Sequence, residues 1–194
     1  RNKQGKRGSI IGLDLGSHQI KAVVLEREDA ALKLARYVVF PSSAGASKTG
    51  SAERLAIELQ EVMTQLKGGD GRVYVAVSCS SATVCEAGFP RMPLEDVRSA
   101  LRMPVNSSRY LRRDLTGFYV DAIELGEVEG DSKSKKSQTM RLLVAAADRE
   151  EVRWYCGALD AAKIRPQAIE LSALTVVNAF HIGNAELCDK EVVL

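Results

Sequence analysis

The sequence is poor in the residues that build metal sites and disulfide frameworks. Its 194 residues include only two histidines and four cysteines, Cys79, Cys85, Cys156 and Cys188, with no C-x-x-C pair. A structural zinc site needs a close set of such ligands, and disulfide frameworks belong to shorter, cysteine-rich secreted chains. We therefore expect neither, and we expect reduced, mostly buried thiols in a cytoplasmic protein.

Long apolar runs and a strong net charge are also lacking. No stretch approaches the roughly 20 apolar residues of a membrane-spanning helix, and no signal peptide is visible. The 27 basic and 25 acidic residues nearly balance, at a formal charge of +2, which argues against general nucleic-acid binding. Basic residues gather in 1–7, 98–113 and 133–136, which we interpret as solvated tails and faces. Any link to a membrane should then go through a partner or a further segment.

What the sequence does contain is a strand–turn–strand pattern near its start. Residues 10–15 are apolar except for Gly12 and Asp14, and residues 20–25 are again mostly apolar. An acid in a buried strand is costly unless something pairs with it. A turn whose N–H groups converge can hold an anion, and a carboxylate beside it suits a hydrated Mg²⁺. The pattern thus suggests a phosphate-cupping loop, although a hairpin with a satisfied Asp14 and no ligand fits as well.

The rest of the chain alternates strands and helices, which is typical of an α/β fold with a crossover connection. In its first half we predict a polar turn at 26–30, a strand at 32–40, a helix from the N-cap Ser51 to Leu66, and strands at 73–77 and 83–89. A helix follows Pro93 and is interrupted at Pro104, with a second piece at 107–111. We then predict a strand at 118–125, a loop at 126–137, a strand at 140–147, and a helix that is stopped by 163–166 and starts with a capping box of Asp148 and Glu151. The last elements are a strand at 168–171, a helix at 172–180 with Leu174, Val177 and His181 facing inward, and a strand starting near 190.

Two common glycine-loop motifs are absent, since neither G-x-G-x-x-G nor G-x-x-x-x-G-K-[ST] occurs. What remains is Gly12-x-Asp14-x-Gly16-Ser17-x-x-x-Lys21 on a strand–turn–strand. This motif resembles the first phosphate motif of the superfamily that contains actin and the sugar kinases.

Three further stretches, 73–93, 140–152 and 159–171, resemble the PilM family of type IV pilus assembly and its relative FtsA of cell division. The resemblance implies an actin-like (ribonuclease H-like) α/β subdomain with a small inserted α+β subdomain. It divides the chain into a disordered basic tail (1–8), the actin-like subdomain (9–90), the insert (91–165) and a return to the actin-like subdomain (166–194). The chain would be the N-terminal half of a longer fold, ending before the second phosphate motif.

The resemblance also implies ATP and Mg²⁺ as ligands of the full-length protein. Asp14 would hold Mg²⁺ through water. Gly16, Ser17 and the neighbouring N–H groups would meet the phosphates, and Lys21 would approach them. Gly12 and His18 complete the expected set of contacts. No catalytic residue is expected, and ATPase activity would be weak or absent.

The implied role is a cytoplasmic scaffold, peripheral to the inner membrane. It would dock the cytoplasmic tail of an inner-membrane pilus protein such as PilN, and self-assembly is a further possibility. An FtsA-like division protein and a GspL-like type II secretion component are the alternatives. A sugar or carboxylate kinase has a similar hairpin, but the insert after Phe89 argues against it. The sequence departs from the PilM family at Tyr110–Asp114. The family usually has an aromatic residue and a proline in this segment, and the proline is absent here.

Overall fold

A computed structural model describes residues 8–28, 31–42, 52–67, 71–112, 114–125 and 139–183. The chain forms two compact units, one of residues 1–78 with 154–194 and the other of residues 79–153. Our predictions for the N-cap Ser51, the loop at 126–137 and the strand near 190 lie outside the described residues, as does the tail predicted at 1–8 except for Gly8. The elements in chain order are β1 (Ile10–Leu15), β2 (Gln19–Glu28), β3 (Ala31–Pro41), α1 (Ala52–Leu66), β4 (Arg72–Val77), β5 (Thr83–Pro90), α2 (Leu94–Leu101), α3 (Pro104–Leu111), β6 (Phe118–Leu125), β7 (Thr139–Asp148), α4 (Arg149–Ala161), β8 (Pro166–Leu171) and α5 (Ser172–Gly183).

The first unit contains a five-stranded mixed sheet in the order β3-β2-β1-β4-β8. β1 is antiparallel to β2 and parallel to β4, and β4 is parallel to β8. The predicted crossover through α1 is confirmed, because β4 follows α1 in the chain and pairs parallel to β1. Ile11, Leu13 and Leu15 are buried on one face of β1. Because side chains alternate along a strand, Gly12 and Asp14 lie on the opposite face.

Helix α1 covers the buried face where it packs against β2 and β3. Its fully buried residues recur at helical spacing, which gives the helix one apolar stripe: they are Leu55, Leu59, Val62 and Leu66. Arg36 on β3 donates hydrogen bonds to the carbonyl oxygens of Leu66, at 3.3 Å, and Lys67, at 2.7 Å. The carbonyl of Leu66, the last residue of α1, thus gains a partner that the helix itself does not provide.

The second unit contains an antiparallel sheet in the order β5-β7-β6. Its inner face packs against α2 and α3 around the core residues Ala87, Phe89, Val97, Leu101, Leu115, Val120, Ala122, Met140, Leu142, Val144 and Ala146. β5 pairs with β7 along its whole length, so it belongs to this unit and not to the first. The unit therefore runs from Cys79 to Arg153, whereas the expected insert had its boundaries at 90/91 and 165/166.

Some local predictions are wrong. Glu26–Glu28 extend β2 and do not form a turn. Pro104 begins α3 and does not merely interrupt a helix, because a proline at the first helical position loses no intrahelical hydrogen bond. Val177 and His181 are exposed on α5 and do not face inward.

The predicted capping box at the start of α4 is half right. The Asp148 carboxylate accepts the N–H groups of Glu150, at 2.9 Å, and Glu151, at 3.0 Å, as a helix cap does. The Glu151 carboxylate, however, accepts the N–H groups of Ser80 and Ser81 and the Ser81 hydroxyl. Burial opposes the charged form of Glu151, yet these hydrogen bonds leave its pKa below the usual value. Glu151 thus joins α4 to the turn before β5.

Candidate functional site

The turn between β1 and β2 closes on itself through Gly16. The Gly16 N–H donates to the carbonyl oxygen of Gln19 at 3.2 Å. A Cβ added at Gly16 would stand 2.8 Å from that same oxygen, so the turn has no room for a side chain. The Gly16 N–H is therefore used inside the turn. The Ser17 Oγ lies 2.8 Å from His18 Nδ1, and both residues are exposed.

Asp14 is held by two partners at the end of β1. It stands directly opposite Lys21 in the β1–β2 register, and the Lys21 Nζ donates to its Oδ2 at 3.0 Å. The Ser172 hydroxyl at the start of α5 donates to its Oδ1 at 3.1 Å. The side chains of Lys21 and Asp14 remain 56% and 35% exposed. The acid that the sequence left without a partner is thus paired, yet it stays open to solvent and to a ligand.

A cavity of about 310 Å³ lies over this face of the sheet. Its floor consists of two rows of residues that oppose one another across β2, β1, β4 and β8, with Thr175 of α5 at its edge: the rows are Val23, Gly12, Tyr74 and Ala168, and Lys21, Asp14, Ala76 and Glu170. A Cβ on Gly12 would lie 3.1 Å from Val23 Cγ2. The glycine therefore leaves space in the cavity that a larger residue would fill. The structure therefore brings Gly12, Asp14 and Lys21 of the predicted set to one cavity.

Three residues were missed as site residues: Ser172, which contacts Asp14, and Glu170 and Thr175, which line the cavity. Ser172 was predicted only as a helix cap, and Glu170 and Thr175 only as parts of a strand and a helix. The available signal was a strand running directly into a helix at Leu171–Ser172, since ligands of α/β sheets gather at the carboxyl ends of strands. Without the β4–β8 register, nothing placed Glu170 in the same row as Asp14.

The carboxylates at the cavity, Asp14 and Glu170, suit a hydrated magnesium ion better than a metal held by protein ligands alone. Among the described residues there is no group of three or more histidine, cysteine, aspartate or glutamate side chains that could hold a metal. Asp14 and Glu170 flank Ala76 in one row, and two strand spacings separate them by roughly 10 Å. Mg²⁺ keeps several waters and is usually bound by one or two carboxylates plus phosphates. Asp14 is suited to that role.

The thiols of the described cysteines are poor nucleophiles. Burial, with the negative charges of Glu151 and Asp148, raises the pKa of Cys79 to about 11. Burial also raises the pKa of Cys85 and, with help from Asp160, that of Cys156. Because the thiolate is the reactive form, these three residues offer no nucleophile near neutral pH.

No helix within the described ranges is long and apolar enough to cross a membrane.

Comparisons with known proteins place the chain in a family. Residues 12–193 match the family described as type IV pilus assembly protein PilM. The structure of the PilM–PilN type IV pilus biogenesis complex is similar over 93% of this chain and 52% of that one, with a TM-score of 0.72 and 22% identity. The chain thus spans about half the length of that PilM chain. No curated protein matches the sequence significantly.

Two other solved structures are more distantly similar. The cytoplasmic domain of EpsL, an inner-membrane component of the type II secretion system of Vibrio cholerae, has a TM-score of 0.54 and 11% identity, over 84% of this chain and 57% of that one. A Bacteroides thetaiotaomicron protein with an actin-like ATPase fold and unknown function has a TM-score of 0.44 and 12% identity, over 95% of this chain and 60% of that one.

The predicted α/β fold class is confirmed by the mixed sheet with its helices and by the fold shared with the PilM structure. The family match covers nearly the whole sequence, including the β1–β2 turn and the cavity residues of β4, β8 and α5. The chain belongs to the family of the type IV pilus assembly protein PilM.

Proposed function

We propose that the full-length protein is a cytoplasmic, actin-like scaffold of type IV pilus assembly that binds ATP with Mg²⁺ at the β1–β2 turn. It would dock the cytoplasmic tail of an inner-membrane pilus protein of the PilN type and so lie at the inner membrane through that partner. The observation that carries the nucleotide proposal is the arrangement of Asp14 between Lys21 and Ser172 at the rim of the cavity.

Each residue at the turn has a distinct task in this proposal. Asp14 accepts hydrogen bonds from the waters of Mg²⁺, and the ion offsets the negative charge of the phosphates. The N–H groups of Ser17 and His18 face the phosphate oxygens, while Gly16 keeps the turn tight enough to present them. Lys21, which is 3.0 Å from Asp14, supplies a cation beside the phosphates and fixes the carboxylate.

We assign no catalytic residue to this chain. The remaining nucleotide contacts would come from the other half of the full-length protein, since the chain spans only 52% of the PilM structure. Single-sided phosphate contacts at an exposed turn give weak binding, so the nucleotide is expected to need both halves.

Titration of the full-length protein with Mg·ATP tests the nucleotide proposal. Asp14→Ala should weaken binding about tenfold or more, because a charge-assisted contact to a ligand contributes about 1.5–3 kcal/mol. The control is Glu28→Ala, which removes a carboxylate that also pairs with a lysine, Lys33, at 3.2 Å in the same sheet. Unchanged affinity in Asp14→Ala, or an equal loss in Glu28→Ala, would contradict the assignment.

The docking proposal rests on the family match and on the fold shared with the PilM of a PilM–PilN complex. A labelled peptide of the cytoplasmic tail of the PilN-type protein from the same organism should bind the full-length protein saturably. A scrambled peptide of the same composition serves as the control. If both peptides bind equally, or neither binds, the partner is not of this type.

A GspL-like component of type II secretion is the second candidate, because the EpsL cytoplasmic domain shares the fold. The full-length sequence distinguishes the two candidates. A membrane-spanning helix after the actin-like domain favours the GspL-like component, and a second phosphate motif favours the PilM-type scaffold.

A further inference from the structure

The second unit carries an exposed, arginine-rich surface that the proposed function does not use. Residues 97–113 contain five arginines and no acidic residue. We define the arginine turn as exposed residues of the α2–α3 connection, of the outer face of α3 and of its C-cap: Arg102, Met103, Val105, Arg109 and Arg112. The local charge contrasts with the near-neutral chain as a whole.

The described residues do not neutralise the positive charge of the arginine turn. Arg98 on α2 pairs with Glu95 and with Asp121 and so lies outside the defined set. Arg102 and Arg112, by contrast, form no ion pair with the described part of the chain. The Arg109 guanidinium lies 5.4 Å from the centre of the Tyr110 ring, which orients it without cancelling its charge.

The geometry of α3 places these groups on one outward face. Val105 and Arg109 are spaced i and i+4 in α3, which places them on one side of the helix, and the exposed Arg112 follows as the C-cap of α3. Ser107, on the opposite side, is buried. Met103 and Val105 are 59% and 78% exposed, so two apolar side chains stand among the guanidinium groups. The result is an outward-facing surface with apolar tips and basic flanks.

We propose that the arginine turn docks on the surface of an anionic lipid bilayer. Arginine guanidinium groups recognise phosphate oxygens in pairs, and the lipid phosphates would supply them. Met103 and Val105 would enter the boundary between headgroups and acyl chains, as the apolar side of an interfacial helix does. An acidic protein segment would satisfy the arginines but would not account for apolar side chains on an outward-facing surface. This contact would be direct, whereas the proposed function links the protein to the membrane only through a partner.

Flotation of the protein with vesicles tests the proposal. The chain should float with phosphatidylcholine vesicles that contain phosphatidylglycerol and not with pure phosphatidylcholine. A basic residue near an anionic surface contributes about fivefold in partitioning, so the triple variant Arg102→Gln, Arg109→Gln, Arg112→Gln should lose about a hundredfold. The variant Met103→Ser, Val105→Ser should bind the anionic vesicles more weakly than the unmodified chain at both low and high salt. Salt screens the charge contribution to binding but not the apolar contribution.

Two controls separate this surface from non-specific charge. One replaces the four basic residues of positions 1–7 with serine, which removes more charge than the triple variant does. The other combines Arg165→Gln and Ile57→Ser, which removes an exposed arginine and an exposed apolar residue elsewhere. Both should float as the unmodified chain does, and circular dichroism should show that every variant is folded. An equal loss in the controls, flotation without anionic lipid, or binding of polyglutamate in preference to anionic vesicles would overturn the proposal.

Discussion

Phe89→Ala should lower the free energy of unfolding by about 3–5 kcal/mol, which is typical of a buried phenylalanine reduced to alanine. Phe89 lies on β5 with its side chain fully buried in the core of the second unit. Its ring centre is 4.3 Å from that of Tyr110 on α3. The substitution therefore removes apolar burial, leaves a cavity, and loses the contact between two aromatic rings.

Urea denaturation followed by circular dichroism measures this loss. Val84→Ala is the matched control, since Val84 lies on the same strand but is 39% exposed. Its cost should stay within about 0.5 kcal/mol, as for most surface substitutions. Equal losses at the two positions would show that β5 does not hold the core of the second unit as described.

Gly16→Ala should cost about 1–3 kcal/mol and should also prevent nucleotide binding. The added Cβ would stand 2.8 Å from the Gln19 carbonyl oxygen, and backbone cannot yield as a flexible side chain does. Overpacking of this kind typically costs that amount. The turn would have to open, which breaks the Gly16–Gln19 hydrogen bond and moves the Ser17 and His18 N–H groups.

The same substitution at Gly157 provides the control. Gly157 is exposed in α4, and a Cβ there would meet nothing within 4 Å. Alanine should raise stability by up to about 1 kcal/mol, because glycine is a poor helix former. Thermal unfolding and Mg·ATP titration of both variants should therefore give opposite changes in stability and a loss of binding only at Gly16. Wild-type binding by Gly16→Ala would contradict the proposed role of the turn.

The first strands and their turn were predictable because their signals are local. The alternation of apolar residues and the glycine turn together determine the register of the two strands. This register places Asp14 opposite Lys21. The ion pair between them follows from that register and could have been inferred. The sequence prediction instead directed Lys21 only toward a phosphate.

The other half of the candidate site depends on distant parts of the chain. Ser172 reaches Asp14 across 158 positions, and it does so only because β8 pairs with β4. Glu151 shows the same limit, since its serine partners lie 70 and 71 positions away, while the capping box is a purely local pattern. The assignment of β5 to the second unit likewise required its pairing with β7.

We propose that the β1–β2 turn and the start of α5 form one wall of a nucleotide site. Hydrogen–deuterium exchange of the full-length protein, with and without Mg·ATP, tests it most directly. We predict slower amide exchange at Gly16–Lys21 and at Ser172–Thr175 with Mg·ATP, and no such change in Asp14→Ala. Saturating Mg·ATP that leaves both segments unchanged while protecting other parts of the protein would contradict the claim.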